Sequence, residues 1–330
     1  MRYVIIGAGA VGGTIGVRLS QAGHDVTLVA RGAHLAAIQE RGLTLAAPDG
    51  EYTARLPAVA DPAGLTLEPD TALVLAVKSQ DTDAALATWA DTPVRGGGTA
   101  AQRLPLLTAQ NGVSNEPAAL RFFAHVIGVC VWLPAVFLRP GEIEANAAPY
   151  TGILHLGRYP EGPADDRVHK ISAELAASSF LAPVRVDVLR WKYGKLLRNL
   201  NNGPQALFGD AVDPELSRRI SAEGMAVLDA AGIAYASEAE DRAERGDRMR
   251  HRPIAGRERS GNSTWQSLAR GAGSVETDHL NGEIVLLGRQ HGVPTPVNEA
   301  VQRAVRRAVR DRIPAGEFPR SELLPDLTDG

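Results

Sequence analysis

The sequence is poor in cysteine, in aromatic residues and in net charge. It has one cysteine in 330 residues, which cannot form an internal disulfide and suits a reducing compartment. Aromatic residues make up 5% of the chain and the formal net charge is −3, so no strong positive field favours nucleic acid. No signal-type leader begins the sequence, and no apolar run is long enough to cross a bilayer. We therefore expect a cytoplasmic protein without nucleic-acid or membrane partners.

The pattern of apolar residues changes near the middle of the chain. Strand-length apolar runs alternate with helical segments before about Asp187, and helical periodicity dominates after it. A chain of 330 residues exceeds one ordinary core, so two domains are expected. We predict the α/β class, with a Rossmann-type doubly wound sheet in residues 1–186, an all-α domain in residues 187–312 and a flexible tail in residues 313–330.

The most informative motif follows the apolar run Tyr3–Ile6 and reads Gly7-Ala8-Gly9-Ala10-Val11-Gly12. A helical segment and a second apolar strand, Asp25–Ala30, come next and complete a βαβ unit. In a dinucleotide site the first glycine makes the tight turn, the second lets the backbone approach the pyrophosphate, and the third lets the helix pack on the strand. A glycine-rich turn of another α/β protein is the alternative, and the strand–helix–strand context favours the dinucleotide site.

The end of the second predicted strand indicates which dinucleotide is bound. NAD sites usually place an acidic residue there, where it accepts hydrogen bonds from the ribose 2′-hydroxyl. Here the sequence is Ala30-Arg31-Gly32, without an acid. The planar guanidinium of Arg31 suits a 2′-phosphate, although a solvated surface arginine is the alternative. This position favours NADP.

Polar residues follow two other apolar strands directly. Lys78, Ser79 and Gln80 come after one run, and Gln110 and Asn111 come after the next. Ligands of a doubly wound sheet bind beyond the carboxyl ends of its strands, so both sets are expected in one crevice near the nicotinamide. Ordinary strand-to-helix loops are the alternative.

One helical segment of the second half carries a candidate lysine. Trp191, Lys195 and Asn199 are spaced i, i+4 and i+8, so they share a helix face. Lys192 lies near that face, and periodicity does not choose between the two lysines. A lysine at the surface that buries only its aliphatic stem is the alternative.

An acidic residue begins a later helical segment. The predicted helix runs from Val275, and Glu276 lies one turn before Leu280 on its apolar face. A carboxylate on a buried stripe needs a partner, such as a lysine or a substrate hydroxyl. The alternative is an acid stabilised by the helix dipole, with Ser274 as the cap.

Two further segments have recognisable patterns. Residues Gly141–Ala145 and Gly152–Leu156 alternate in hydrophobicity and predict a hairpin. Residues Arg242–Arg259 mix arginine with acidic residues, which is typical of a solvated surface rather than of a nucleic-acid patch.

These residues together resemble the ketopantoate reductase family (2-dehydropantoate 2-reductases). The resemblance runs from Met1 to about Arg310 and is carried by six ordered stretches: Gly7–Gly12, Val29–Gly32, Val77–Gln80, Gln110–Gly112, Trp191–Asn199 and Ser263–Asp278.

The resemblance implies NADPH-dependent reduction of a 2-oxo acid, best ketopantoate, to a 2-hydroxy acid in pantothenate biosynthesis, on the coenzyme A pathway. It implies a homodimer, with NADP bound by the first domain and substrate binding and dimerisation in the second. It places catalysis on Lys195 and Glu276, and no metal site is predicted. The other implied contacts are substrate binding by Asn111, Asn199, Asn202 and Ser263, and cofactor binding by Gly7–Gly12, Arg31, Lys78, Gln80 and Asn111.

One position departs from the family pattern. Members usually have a second asparagine eight residues after the lysine and before a proline, and here that position is Gly203, before Pro204. Either Asn202 substitutes for this substrate contact, or the contact is absent. Two alternatives therefore stay open: a reductase or dehydrogenase for another small oxo or hydroxy acid, and a non-catalytic NADP-binding sensor.

Overall fold

The computed structural model describes residues 1–254, 263–269 and 275–323, which form two compact units. The first unit comprises the described residues of Met1–Asn111, Asn115–Trp191 and Ala239–Glu258. The second comprises those of Gly112–Ser114, Lys192–Glu238 and Arg259–Gly330.

The β-strands of the described chain are β1 (Arg2–Ile6), β2 (Asp25–Val29), β3 (Leu43–Ala47), β4 (Gly50–Ala54), β5 (Ala58–Val59), β6 (Thr71–Leu75), β7 (Pro105–Thr108), β8 (His125–Trp132), β9 (Ala135–Arg139), β10 (Glu142–Ala145), β11 (Ala147–Pro149), β12 (Gly152–Tyr159), β13 (Phe180–Leu181) and β14 (Met249–His251).

The α-helices are α1 (Ala10–Gln21), α2 (Gly32–Arg41), α3 (Thr82–Ala90), α4 (Ala100–Arg103), α5 (Asn115–Leu120), α6 (Asp166–Ala177), α7 (Val188–Asn199), α8 (Asn202–Phe208), α9 (Pro214–Ala230), α10 (Glu238–Arg245), α11 (Ser263–Ala269), α12 (Asn281–His291) and α13 (Pro296–Arg310). Short 3₁₀ helices cover Ser79–Asp81, Gly209–Ala211, Glu276–His279 and Arg320–Glu322.

An eight-stranded sheet forms the centre of the first unit, in the order β13-β12-β8-β7-β6-β1-β2-β5. Neighbouring strands from β8 to β5 are parallel, and β12 pairs antiparallel with β8. Every residue of β6 is buried, as expected of a strand that is covered on both faces. The predicted α/β class with a Rossmann-type sheet is confirmed.

A smaller sheet of the first unit has the order β4-β3-β10-β9 and packs on α1. In it β10 pairs with β9 and with β3, whereas β12 pairs with β8 and β13. The predicted hairpin of Gly141–Ala145 with Gly152–Leu156 is therefore wrong, because partners distant along the chain take up both segments.

The second unit is helical in the described residues, apart from turns and loops. Its core is formed by apolar faces of α7, α8, α9, α12 and α13, with Leu196, Ile220, Ile284 and Val301 all fully buried. This part of the chain agrees with the predicted all-α domain.

The boundary between the units differs from the prediction at residue 187. The first unit extends to Trp191 and takes in the chain again from Ala239. There β14 pairs antiparallel with β11, and Arg185 forms an ion pair of 2.8 Å with Glu244. The described part of the arginine-rich segment is thus tied to the first unit by strand pairing and ion pairs.

The C-terminal residues 313–323 are packed rather than free. Phe318 is 5% exposed and its ring lies edge-on to that of Phe208, with 6.3 Å between the centroids. The amides of Gly316 and Phe318 donate to the carbonyls of Ala206 and Leu207. The expectation of a flexible tail therefore does not hold for these residues, and residues 324–330 lie outside the described part.

The described residues lack both a membrane-spanning helix and a cluster of metal-binding side chains. None of their helices combines the length and the hydropathy needed to cross a membrane. They also contain no group of three or more His, Cys, Asp or Glu side chains arranged to hold a metal ion.

Candidate active site

The glycine-rich loop of the first unit gives each glycine a different surrounding. Gly7 has φ of +101°, and a side chain there would lie 2.8 Å from the Val77 amide nitrogen. At Gly12 a side chain would lie 2.2 Å from the Gly7 carbonyl oxygen. At Gly9 an added Cβ would meet nothing within 4 Å. The first and last glycines are thus required by the protein itself, and the middle one leaves open space beside the backbone.

The start of α1 suits an anion. Its N-cap is Gly9, which provides no side-chain cap, and its first turn contains no acidic residue. The first amides of a helix lack partners within the helix and carry partial positive charge. The loop before them is fixed, because the amides of Gly7 and Ala8 donate to the Val29 carbonyl at 3.2 and 2.8 Å. A phosphate is the kind of group such a helix start binds.

Arg31 lies at the N-cap position of α2, two residues after the end of β2. Its side chain is exposed, and it forms no ion pair with any residue that the structure describes. A guanidinium in this state can bind an incoming phosphate without first breaking a salt bridge.

The two polar strand ends of the first unit are joined by hydrogen bonds. The amide of Asn115 donates to the Asn111 carbonyl at 2.9 Å and to the Ser79 hydroxyl at 3.2 Å. That hydroxyl donates to the same carbonyl at 3.3 Å. The structure therefore brings the loop of Lys78 and Gln80 together with that of Asn111, and their binding of cofactor stays a prediction.

Sequence reasoning named Gln110 without its organising role, and it missed Thr82 and Asn115. Gln110 donates its amide to the Val77 carbonyl at 2.9 Å and to the Thr82 hydroxyl at 2.8 Å. The Thr82 hydroxyl in turn donates to the Asn115 side chain at 2.8 Å. Asn115 lies four residues after Asn111 across a non-helical loop, so helical spacing gave no signal of this contact.

Helix α7 carries the candidate lysines, and the structure distinguishes them. Lys192 is 3% exposed, whereas Lys195 and Asn199 are half-buried. The turn that holds Lys195 is fixed by Gly194, where an added Cβ would lie 2.4 Å from the Ala236 carbonyl oxygen. Within the second unit, Lys195 is therefore the more accessible of the two lysines, and its catalytic role stays a prediction.

Trp191 precedes these residues on the helix and belongs to the first unit. Its ring stacks on His155 with 4.5 Å between the centroids. The Arg185 guanidinium makes a cation–π interaction with the Trp191 ring, with its Cζ atom 4.4 Å from the ring centroid. Arg185 also donates to Nδ1 of His155 at 3.1 Å. The predicted common face of Trp191, Lys195 and Asn199 is thus divided between the two units.

Glu276 does not belong to the helix that was predicted for it. It begins a 3₁₀ helix, Glu276–His279, and α12 starts only at Asn281. Leu280 separates the two with φ of −116° and ψ of −88°, which breaks the helical path. Glu276 is half-buried, so the expected continuation of the apolar stripe from Leu280 is wrong. Ser274, its alternative cap, lies outside the described residues.

The remaining predicted substrate contacts lie on two packed helices. Asn202 is the first residue of α8 and is half-buried, and Ser263 is the first residue of α11. Helices α8 and α11 pack against each other. Their roles toward a substrate stay predictions.

Gly203 has a packing role in the second unit. A Cβ there would lie 2.7 Å from the Val301 side chain and 3.4 Å from that of Val305, so α8 approaches α13 closely. An asparagine at this position would collide with α13. The space that a side chain at this position would occupy is therefore filled by α13.

A buried amide pair near Gly203 also escaped sequence reasoning. Asn281 donates to the Leu200 carbonyl and to the Asn298 side chain, both at 3.0 Å. Asn298 donates to the Ile220 carbonyl at 3.2 Å and to the Glu223 carboxylate at 2.8 Å. The pair connects α12 and α13 with neighbouring helices. The sequence gave no indication of this pair, because each asparagine stands alone within a helical segment.

Comparison with known proteins covers both units. Residues 3–161 match the family Ketopantoate reductase PanE/ApbA, and residues 188–309 match Ketopantoate reductase PanE/ApbA C terminal. A 2-dehydropantoate 2-reductase of Mesorhizobium japonicum is 30% identical over an alignment that covers 94% of this chain and 99% of that protein. One from Halobacterium salinarum is 27% identical over 323 residues, 94% of this chain and all of that protein.

Solved structures agree with the sequence comparison. The PanE/ApbA family ketopantoate reductase from Ralstonia eutropha JMP134 has a TM-score of 0.76 and 27% identity, over 94% of this chain and 99% of that one. D-Mandelate dehydrogenase, solved with NADH and anilino(oxo)acetate, has a TM-score of 0.78 at 21% identity. The comparison covers 95% of this chain and all of that one, and it shows that the two proteins share a fold. The family resemblance and the enzyme class that it implied are confirmed, and ketopantoate reductases use NADPH, as the sequence predicted. The chain belongs to the ketopantoate reductase family and is an oxidoreductase that acts on CH–OH groups.

Proposed function

We propose that the protein reduces a 2-oxo acid to a 2-hydroxy acid with NADPH, and that 2-dehydropantoate (ketopantoate) is its substrate. The observation that carries the proposal is similarity over 94% of the chain to proteins named 2-dehydropantoate 2-reductase. The uncapped start of α1 beside Gly9 supports the cofactor half of the proposal, because it suits a pyrophosphate.

The preference for NADPH over NADH is assigned to Arg31. Its exposed guanidinium follows β2, where NAD-binding proteins carry an acid. An arginine pairs with a 2′-phosphate through two hydrogen bonds and gains nothing comparable from a 2′-hydroxyl.

The chemistry requires a proton donor for the substrate oxygen. When bound, NADPH supplies the hydride that reduces the carbonyl carbon. Negative charge then develops on the oxygen, and Lys195 stabilises that charge and donates the proton. Glu276 holds the ammonium group or the substrate hydroxyl, and a nearby carboxylate keeps a lysine protonated. Asn111, Asn199, Asn202 and Ser263 orient the carboxylate and hydroxyl of the substrate.

A second candidate is the reduction of a different 2-oxo acid by the same residues. Gly203 favours it, because the amide that usually stands at this position cannot fit beside Val301. A substrate that needs no hydrogen bond at this point would lose nothing by the change, whereas ketopantoate would depend on Asn202 instead.

The cellular setting follows from the substrate. With ketopantoate as substrate, the enzyme provides pantoate for pantothenate biosynthesis, in the cytoplasm, and it acts as a homodimer. Light scattering of the purified protein tests the dimer directly, and a monomer mass would reject it.

NADPH oxidation, followed by absorbance, tests the function. Ketopantoate is compared with a panel of other 2-oxo acids, each with NADPH and with NADH, and Lys195→Ala is the control for background oxidation. Fast turnover of ketopantoate with NADPH supports the proposal. Faster turnover of another acid would identify that acid as the substrate and would support the same reaction type. Tight NADPH binding with no turnover of any acid would favour a sensor.

A further inference from the structure

His34, in the first turn of α2, connects the glycine-rich loop with the smaller sheet. Its Nε2 lies 2.7 Å from the Ala8 carbonyl oxygen. Its Nδ1 accepts a hydrogen bond of 3.0 Å from the Gly141 amide, in the turn between β9 and β10. The ring also packs edge-on against Phe137, with 4.8 Å between the centroids.

These two partners determine the protonation state of the ring. An amide N–H can only donate, so Nδ1 must carry a lone pair. A carbonyl oxygen can only accept, so Nε2 must carry the proton. His34 therefore makes both hydrogen bonds only as the neutral Nε2–H tautomer. Burial lowers the pKa of His34, and the bond to Ala8 opposes this effect, so the neutral form prevails near pH 7.

The bond to Ala8 has a consequence for the next amide. A trans peptide unit is planar, and its C=O and N–H groups point in opposite directions. With the Ala8 carbonyl held by His34, the Gly9 N–H must point in the opposite direction within the same peptide plane. The Ala8 amide is held as well, since it donates to the Val29 carbonyl at 2.8 Å. Both ends of the residue before Gly9 are thus fixed before any ligand arrives.

We propose that His34 is a positioning residue of the cofactor site, which holds the Ala8 carbonyl and so directs the Gly9 N–H toward the cofactor pyrophosphate. The inference rests on the dinucleotide binding proposed above and adds a residue outside the glycine-rich motif. In an imidazolium both nitrogens donate, so Nδ1–H would face the Gly141 N–H across 3.0 Å, and the repulsion between the two donors would displace the ring and release the Ala8 carbonyl. Cofactor binding therefore weakens as the pH falls through the pKa of His34.

Charged groups around the ring do not account for this behaviour. Arg31 lies one turn earlier on α2, and Arg139 and Glu142 flank the turn of Gly141, where they pair with each other at 2.7 Å. Arg41, at the end of α2, also approaches that turn. The residues of the glycine-rich loop carry no charge. The pKa of His34 is moved by burial and by its backbone bond, not by these charges.

Three variants separate the two hydrogen bonds. Glutamine places an amide near the position of Nε2, so His34→Gln keeps a donor for Ala8 and does not titrate. Asparagine ends near the position of Nδ1, so His34→Asn keeps a partner for Gly141 and loses Ala8. His125→Gln is the matched control, because burial and the nearby Arg167 also lower the pKa of His125. His125 begins β8, whereas the glycine-rich loop follows the end of β1, so the two histidines lie at opposite ends of the parallel strands.

The experiment measures the dissociation constant of NADP⁺ by calorimetry at several values between about pH 5.5 and 8. The 2′-phosphate itself titrates near about pH 6, so each variant is compared with the wild type at the same pH. At the highest pH we expect His34→Gln to match the wild type and His34→Asn to bind about tenfold more weakly. At the lowest pH we expect the wild type and His125→Gln to bind about three- to tenfold more weakly than His34→Gln.

The outcomes separate the inference from the proposed function. No binding of NADP⁺ or NAD⁺ by the wild type would overturn both. Binding with the same pH dependence in the wild type and His34→Gln would overturn the inference alone. So would tighter binding by the wild type in acid, which would mean that the imidazolium attracts a phosphate. Where His34→Gln unfolds early, the wild type is tested with NAD⁺, which lacks the 2′-phosphate, and an affinity that does not fall in acid would overturn the inference.

Discussion

In the first unit a side chain added at Gly9 would meet no atom within 4 Å, whereas in the second unit one added at Gly203 would lie 2.7 Å from Val301. Gly194 and Gly224 of the second unit are like Gly203, since added Cβ atoms would lie 2.4 and 2.7 Å from neighbouring residues. The loop glycine leaves room for a ligand, and the helix glycines leave room for another part of the protein. The same residue type therefore marks open space at Gly9 and close packing at Gly203, Gly194 and Gly224, as it does at Gly7 and Gly12 of the first unit.

The largest expected effect separates chemistry in the second unit from binding in the first. Lys195→Ala removes the proposed proton donor, so we expect kcat to fall by about 10²- to 10⁴-fold while the dissociation constant of NADPH stays the same. Steady-state kinetics and calorimetry measure the two quantities. Lys170→Ala, on the exposed side of α6, is the matched control and should leave both unchanged. A matching loss of NADPH affinity in Lys195→Ala would remove the distinction between the units.

Arg31→Ala tests the reverse case, in which binding changes and chemistry does not. Loss of charge-assisted hydrogen bonds to the 2′-phosphate should raise KM for NADPH about 10- to 100-fold. We expect kcat to stay unchanged. KM for NADH serves as the internal control, because NADH lacks the 2′-phosphate. An equal increase for both cofactors would show that Arg31 does not read the 2′-phosphate.

Two alanine substitutions test the contrast between the glycines themselves. Gly9→Ala places a methyl group where the pyrophosphate is expected, so NADPH affinity should fall about tenfold or more with little change in stability. Gly203→Ala should leave NADPH affinity intact and lower the free energy of unfolding by about 1–3 kcal/mol, since α13 must move. Urea unfolding measures the stability, and Gly162→Ala, at a site with nothing within 4 Å, is the control. Equal behaviour of Gly9→Ala and Gly203→Ala would contradict the contrast.

The smallest expected effect concerns a buried carboxylate in the second unit. Burial raises the pKa of Glu283, and its side chain makes no ion pair or hydrogen bond with any residue in the described ranges. An acid with a raised pKa in the folded state costs stability once the pH exceeds its unfolded pKa, about 4.3, and the cost grows up to the folded pKa. We expect Glu283→Gln to gain about 0.5 kcal/mol at pH 7 and to lose that advantage toward pH 4. Thermal unfolding at both pH values checks it; a loss of stability at pH 7 would indicate a hidden partner.

The glycine-rich loop was predictable because its determinants are consecutive along the chain. Gly7 and Gly12 are constrained by one strand, one helix and the neighbouring strand end, all of which the sequence pattern indicates. Arg31 was predictable for the same reason, since its place depends only on where β2 ends. The hydrogen bonds of His34 were not, because Gly141 is 107 residues away.

The errors of prediction come from contacts between distant parts of the chain. Apolar spacing alone suggested one helix through Glu276, but it carries no information about the break at Leu280. The hairpin of residues 141–156 was wrong because β3 and β8 compete for its strands, and alternation does not name a partner. Packing of α13 against Gly203 likewise depends on a helix about 100 residues later. Periodicity identifies an element, and only tertiary structure identifies its neighbour.

The return of α10 and β14 to the first unit makes the second unit discontinuous. Apart from the short segment Gly112–Ser114, the chain enters it at Lys192, leaves after Glu238 and enters it again beyond Glu258. A cut after residue 191 would produce a C-terminal fragment that carries Arg245 without Trp132, and β14 without β11. No single cut therefore yields two intact units, and exchange of the helical unit between relatives must transplant two segments while keeping the intervening strand. The helical unit therefore cannot be moved between proteins as one continuous piece of sequence.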